Sequence, residues 1–133
     1  MIPGRIAEAL QSVLRPVFGN LLERARLSSG IASRALARTM QADAFVVGRR
    51  VFLSRAAAEE LQRRSEGALL LLAHELTHVA QYRRLGVPRF LARYLREYAR
   101  HRLAGAGHAE AYRNISFERE ARDAEREVAR RSV

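Results

Sequence analysis

The stretch "LLLLAHELTHVAQ", residues 69–81, sets His74, Glu75 and His78 inside an otherwise apolar run. Such side chains are costly to bury unless something pairs with them. Ser65 lies upstream as a helix cap, and Gly86 and Pro88 lie downstream as stop signals, so the pattern predicts a helix over about 66–84. On a wheel of about 100° per residue, Leu69, Leu72, Leu76 and Val79 fall on one side. His74 and His78 fall about 40° apart on the other side, with Leu70, Leu71 and Gln81 beside them. A helix apolar nearly all round is a central, buried element.

Two imidazoles four residues apart stack on one helix face. They can both reach one small cation at about 2.0–2.1 Å, the zinc–nitrogen distance. Glu75 sits about 100° further round, where its carboxylate can lean over an open coordination position rather than ligate. There it can take a proton from a metal-activated water and pass it to a leaving group. H-E-x-x-H therefore places two ligands and a general base on one helical turn. The plainer alternative is a helix with two hydrogen-bonded core histidines and a glutamate that reaches solvent.

A catalytic zinc site keeps three protein ligands. The candidates for the third are His101, His108, Glu110, Glu118, Glu120 and Asp123. His101 falls opposite its helix stripe and is expected to be exposed. His108 lies in "AGAGHAE", which looks loose, and loose loops hold metal geometry poorly. A last helix is expected from Asn114 or Ser116, with Phe117, Ala121, Ala124 and Val128 on its apolar face, fraying into "ARRSV". Glu118 and Glu120 flank that face at similar angles, so periodicity leaves the choice between them open.

The remaining chain surrounds this helix. Residues 6–22 carry helical spacing through Ile6, Leu10, Val13, Leu14, Val17, Leu21 and Leu22, with Pro16 expected to kink or divide the helix. Ser28 or Ser29 is positioned to cap a short helix in "IASRALARTMQAD". The β-formers of "AFVVGRRVFLS" predict a small hairpin, and Ser54 can cap the helix in "RAAAEELQRR". Phe90, Leu91, Tyr94, Leu95 and Tyr98 form the stripe of a further amphipathic helix. Tyr112, Arg113, His108 and Tyr82 are the candidate donors to a developing oxyanion.

A chain of 133 residues makes one ordinary domain, here residues 1–133. It has no cysteine, which excludes a disulfide framework and a thiolate metal site. The N-terminal segment lacks a signal-peptide core, and no stretch approaches the roughly 20 apolar residues of a membrane span. A cytoplasmic chain, or one exported without a signal peptide, is expected. The net charge is +10, and all 24 basic residues are arginine, a balance that favours anionic partners by non-specific electrostatics. The arginines are scattered, and no recognition helix or aromatic stacking module accompanies them.

Phe45, Gly48, Val51, Phe52 and then residues 71–81 resemble the zincin-like domain of bacterial proteins associated with extracellular contractile injection systems. The likeness covers about residues 31–84. "FEREARD", with Glu118 and Ala121, resembles the E-x-x-A motif of glutamate-ligand zinc peptidases, the gluzincins, whose first glutamate is the third ligand. Many of those families have Asp or Asn next, where this chain has Arg122. A carboxylate that orients a histidine would then be missing or supplied by Asp123.

The resemblance implies a mainly α, α+β zincin-like minidomain. It would have a small β-hairpin, a buried HExxH helix and a C-terminal ligand helix within residues 112–128. It implies one Zn2+ held by His74, His78 and Glu118, with Glu75 as general base, in a metallopeptidase acting on a protein or peptide substrate. It also implies a possible association with a contractile injection system. The alternatives are a catalytically weak zincin-like interaction or effector-delivery module, and a basic nucleic-acid-binding protein.

Overall fold

The computed structural model describes residues 8–28, 30 and 44–132. Helix α1 (Glu8–Phe18) buries Leu10 and Leu14, as the helical spacing requires. The division expected at Pro16 falls three residues later. Pro16 stays inside α1, and the chain turns at Gly19, whose φ of +59° is open to glycine at little cost. The Gly19 N–H closes on the Arg15 carbonyl at 2.8 Å. A single turn, α2 (Leu21–Arg24), buries Leu21 and Leu22 before the chain extends into β1 (Arg26–Ser28). Ser28 is thus a strand residue, not a helix cap. Ser29 and the short helix expected over 31–43 lie outside the described residues.

The expected hairpin is present as β2 (Ala44–Val47) and β3 (Arg50–Leu53), paired with Phe45 opposite Phe52. Gly48 opens its two-residue turn at φ +64°, the glycine-first arrangement that matches the twist of paired strands. Strand β1 adds in parallel to β3, giving a three-stranded sheet of order β1-β3-β2. Val46, Val51 and Leu53 face the core, while Phe45 and Phe52 stack on the other face at 4.9 Å between centroids.

Ser54 and Ser65 cap the next two helices as expected. The Ala57 and Ala68 N–H groups donate to their hydroxyls, each at 3.1 Å. Helix α3 (Arg55–Arg63) ends on a left-handed Arg64, and α4 (Glu66–Leu85) ends at Gly86. Leu69, Leu72, Ala73, Leu76 and Val79 of α4 are buried, and one apolar cluster around them runs from Leu10 to Val128. Pro88 does not stop α4. It is the second residue of α5 (Val87–Leu103), where an N–H would lack an intrahelical partner anyway.

Only the aromatic edge of α5 meets the core. Phe90 stacks between Tyr82 at 3.8 Å and Phe117 at 4.6 Å, whereas Leu91 and Leu95 of the expected stripe are 41% and 62% exposed. A largely exposed connection, residues 104–107, leads into α6 (His108–Arg113), a helical turn where a loose loop was expected.

Helix α7 (Ser116–Ser132) buries Phe117, Glu118, Ala121 and Val128 and packs along α4 more extensively than any other element. It stays helical through "ARRS", where Glu127 pairs with Arg130 and Arg131. Its first turn is held from α5: the Ser116 N–H and hydroxyl both donate to the Glu97 carboxylate at 2.8 Å. The result is a mainly α, α+β architecture in which α4 packs against both the small sheet and α7.

Candidate metal centre

The pairing of α4 with α7 brings His74, His78 and Glu118 together. Among the described residues they form a group whose ligand atoms all lie within 4.8 Å of one another. His74 Nε2 is 2.8 Å from Glu118 Oε1, and His78 Nε2 is 3.1 Å from Glu118 Oε2. Both rings therefore aim the same nitrogen at one carboxylate. Glu118 is nearly fully buried because Phe117 and Ala121 turn that face of α7 onto α4.

The other ring nitrogens are also occupied. His74 Nδ1 lies 2.7 Å from Glu125 Oε2, and His78 Nδ1 lies 2.8 Å from Gln81 Oε1. The Gln81 amide is fixed the right way round, since its Nε2 donates to the Phe117 carbonyl at 3.1 Å. Each Nδ1 thus faces an acceptor and carries a hydrogen. Each Nε2 faces an acceptor too, and needs either a second proton or a cation between it and Glu118. Two Nε2 lone pairs and a carboxylate oxygen make an N2O donor set of the kind zinc takes, with Nδ1 partners that fix the ring orientation. The residues present fit a divalent cation.

Burial would lower the His74 pKa, but hydrogen bonds to Glu118 and Glu125 outweigh it and raise the ring to about 9. Burial would lower His78 as well, and Glu118 reverses it, leaving that ring above its ordinary value. Burial would raise Glu118, yet the two imidazoles hold its carboxyl far below the usual range. With the rings neutral, Glu75, Glu118 and Glu125 would crowd negative charge into one region, a situation that favours a bound cation.

Glu75 is 5% exposed and lies within the field of both imidazoles, Glu118 and Glu125. Among the described residues no group donates a hydrogen bond to its carboxylate. Burial pushes its pKa up, only partly offset by the histidines. A raised carboxylate pKa favours proton acceptance by Glu75, the property a general base needs.

The other candidates are placed elsewhere. His108 is exposed, with Nδ1 2.7 Å from the Tyr98 hydroxyl, and is not part of the cluster. Glu120 is exposed and lies 3.8 Å from Arg84. Glu110 is exposed, and His101 is half-buried rather than exposed, with Nε2 3.2 Å from the Asn114 carbonyl. Asp123 pairs with Arg126, so it does not supply the carboxylate that orients a histidine. Glu125 does.

Of the candidate oxyanion donors, Tyr112 lies near Glu118, Tyr94 and Glu75, and its phenol pKa is raised by burial and by Glu118. Tyr82 is buried in the ring stack with Phe90, and burial raises its hydroxyl to about 12. Arg113 is held through its carbonyl, which accepts from Arg122.

Three site residues went unassigned in the sequence: Glu125, Gln81 and Tyr94. Glu125 follows Glu118 by seven residues, two helical turns, so the shared face was a usable signal. Gln81 follows His78 by three residues, which places it within reach. Tyr94 donates its hydroxyl to Glu118 Oε2 at 2.9 Å. No spacing announces that contact, because it depends on how α5 crosses α7.

The family model described as the eCIS core domain matches residues 5–86, more than half of the chain. The match includes His74, Glu75, His78 and Gln81 and ends before Glu118 and Glu125. No curated protein and no solved structure matches the chain.

Proposed function

The chain belongs to the eCIS core domain family, and on that premise we propose that it is a zinc-dependent hydrolase of peptide bonds with an HExxH…E site. The observation that carries this reading is the convergence of His74, His78 and Glu118 from two helices, with Glu75 buried beside them and, among the described residues, without a hydrogen-bond donor. A divalent cation such as zinc would supply Lewis-acid polarisation of the scissile carbonyl and activate the attacking water.

The chain's own residues do the rest. His74, His78 and Glu118 would hold the cation, the two rings through Nε2, with Glu125 and Gln81 keeping each Nδ1 hydrogen in place. Glu75 accepts a proton from the attacking water and delivers it to the leaving amine. Tyr112 is the candidate donor to the oxyanion, being half-exposed over Glu118 and within the field of Glu75. A groove of about 400 Å³ lined by Leu70, Leu71, Ala68 and Glu125 adjoins the His74 side of the site, and an extended substrate strand would lie along it. The family supports association with a contractile injection system, either as the setting of the activity or as the main role.

The test is metal analysis of the purified chain together with the Glu75→Gln variant, assayed on an unfolded protein such as casein. The variant should keep one zinc and lose hydrolysis by about 10²- to 10⁴-fold, the range for a lost general acid–base. Hydrolysis that persists in the variant assigns the base wrongly. Zinc binding without hydrolysis in the wild type favours the interaction module.

A further inference from the structure

Glu118 has two oxygens, and the surroundings treat them differently. Oε1 faces the His74 Nε2. Oε2 meets the His78 Nε2 and also accepts the Tyr94 hydroxyl at 2.9 Å. Tyr94 reaches it from α5, outside the two helices that carry the donor set. Its ring is steadied by stacking on Phe90 at 5.6 Å, and Phe90 in turn stacks on Phe117, the residue before Glu118. Tyr112 lies close to the same pair of groups. A phenol is a firm donor to a carboxylate, and a hydrogen-bonded oxygen is a poorer electron-pair donor toward a cation.

We propose that Tyr94 is a positioning residue for Glu118. Its hydroxyl engages Oε2 and leaves Oε1 as the oxygen offered to the cation. This rests on the metal reading above and adds a consequence to it. A carboxylate free to offer both oxygens could fill the position that a catalytic site keeps open. The same hydrogen bond fixes the rotation of the carboxylate, so its loss lowers affinity as well as altering coordination.

The experiment compares the full chain, Tyr94→Phe and Tyr98→Phe, each stripped of metal and titrated with Zn2+ and with Co2+ alone. Tyr94→Phe keeps the ring and its stacking and removes only the donor. Tyr98→Phe removes a hydroxyl on the same helix that faces His108 instead. The readouts are zinc affinity by chelator competition and the visible d–d spectrum of the cobalt form, whose intensity falls as coordination number rises.

Tyr94→Phe should bind zinc about 10-fold more weakly, at the lower end of the range for outer-shell partners. It should also show a weaker, shifted cobalt spectrum, while Tyr98→Phe matches the wild type in both. If Tyr94→Phe matches the wild type in both readouts, the positioning role is overturned and the metal site stands. If the wild type binds neither metal, the metal reading falls and this inference falls with it.

Discussion

At the scale of single residues, the site depends on proton placement. In the metal-free protein His74 is held protonated to about pH 9 by Glu118 and Glu125, and a cation must displace the Nε2 proton to bind. Zinc affinity should therefore rise with pH between about 6.5 and 9, with protons released on binding. Calorimetry in buffers of different ionisation enthalpy reads that release, and a pH-independent affinity contradicts the ring placement. The same raised pKa stabilises the metal-free fold fully below about 6.5 and is lost as pH rises through about 9. The melting temperature of the metal-free chain should accordingly fall over that interval. Glu125→Gln removes the charged acceptor at His74 Nδ1 and should weaken zinc binding by about 10- to 100-fold, measured by chelator competition. The grouping of His74, Glu75 and His78 was legible because HExxH needs only one helix. Glu125 and Tyr94 were not assigned, because their roles exist only after α7 and α5 dock.

At the scale of elements, local signals predicted boundaries well where the chain itself caps a helix, as at Ser54, Ser65 and Gly86. They failed where a boundary depends on a neighbour. Strand β1 is three residues long and reads as the tail of a helix until β3 pairs with it. The start of α7 has no local cap and takes Glu97 from α5 instead. Burial would raise the Glu97 pKa, but the Ser116 N–H and hydroxyl and the Arg93 guanidinium bring it below the usual range. A depressed carboxylate contributes stability above its unfolded value, near 4.5, and loses it as pH falls through the folded value. Glu97→Gln should cost about 1 kcal/mol at pH 7 by urea denaturation, typical of a lost helix cap. The difference from wild type should shrink as pH falls below about 4.5 toward the depressed folded value. Because Glu118 sits in that first turn, the variant should also bind zinc more weakly.

At the scale of the whole molecule, the charge that suggested an anionic partner is partly laced into the surface. Glu59, Glu60, Glu97, Asp123 and Glu127 each hold an arginine three or four residues away. Among the described residues no helix is long and apolar enough to cross a membrane. The mainly α, α+β class was legible because the buried helix dictates its own surroundings. The partnership between α4 and α7 was expected only through the resemblance, since 38 residues of chain lie between His78 and Phe117 and no periodicity spans them. That partnership would make a bound cation a cross-link between helices distant in sequence. Saturation at about 100-fold over the dissociation constant should add about 2.7 kcal/mol to stability, read as a lowered melting temperature after chelation. The exposed connection at residues 104–107 gives this arrangement a further consequence. A protease cut there would leave two of the three donors on one polypeptide and the third on another, joined by packing and by the ion itself. The severed pieces would then hold together more tightly with zinc than after chelation, a complementation pair whose affinity tracks the ion.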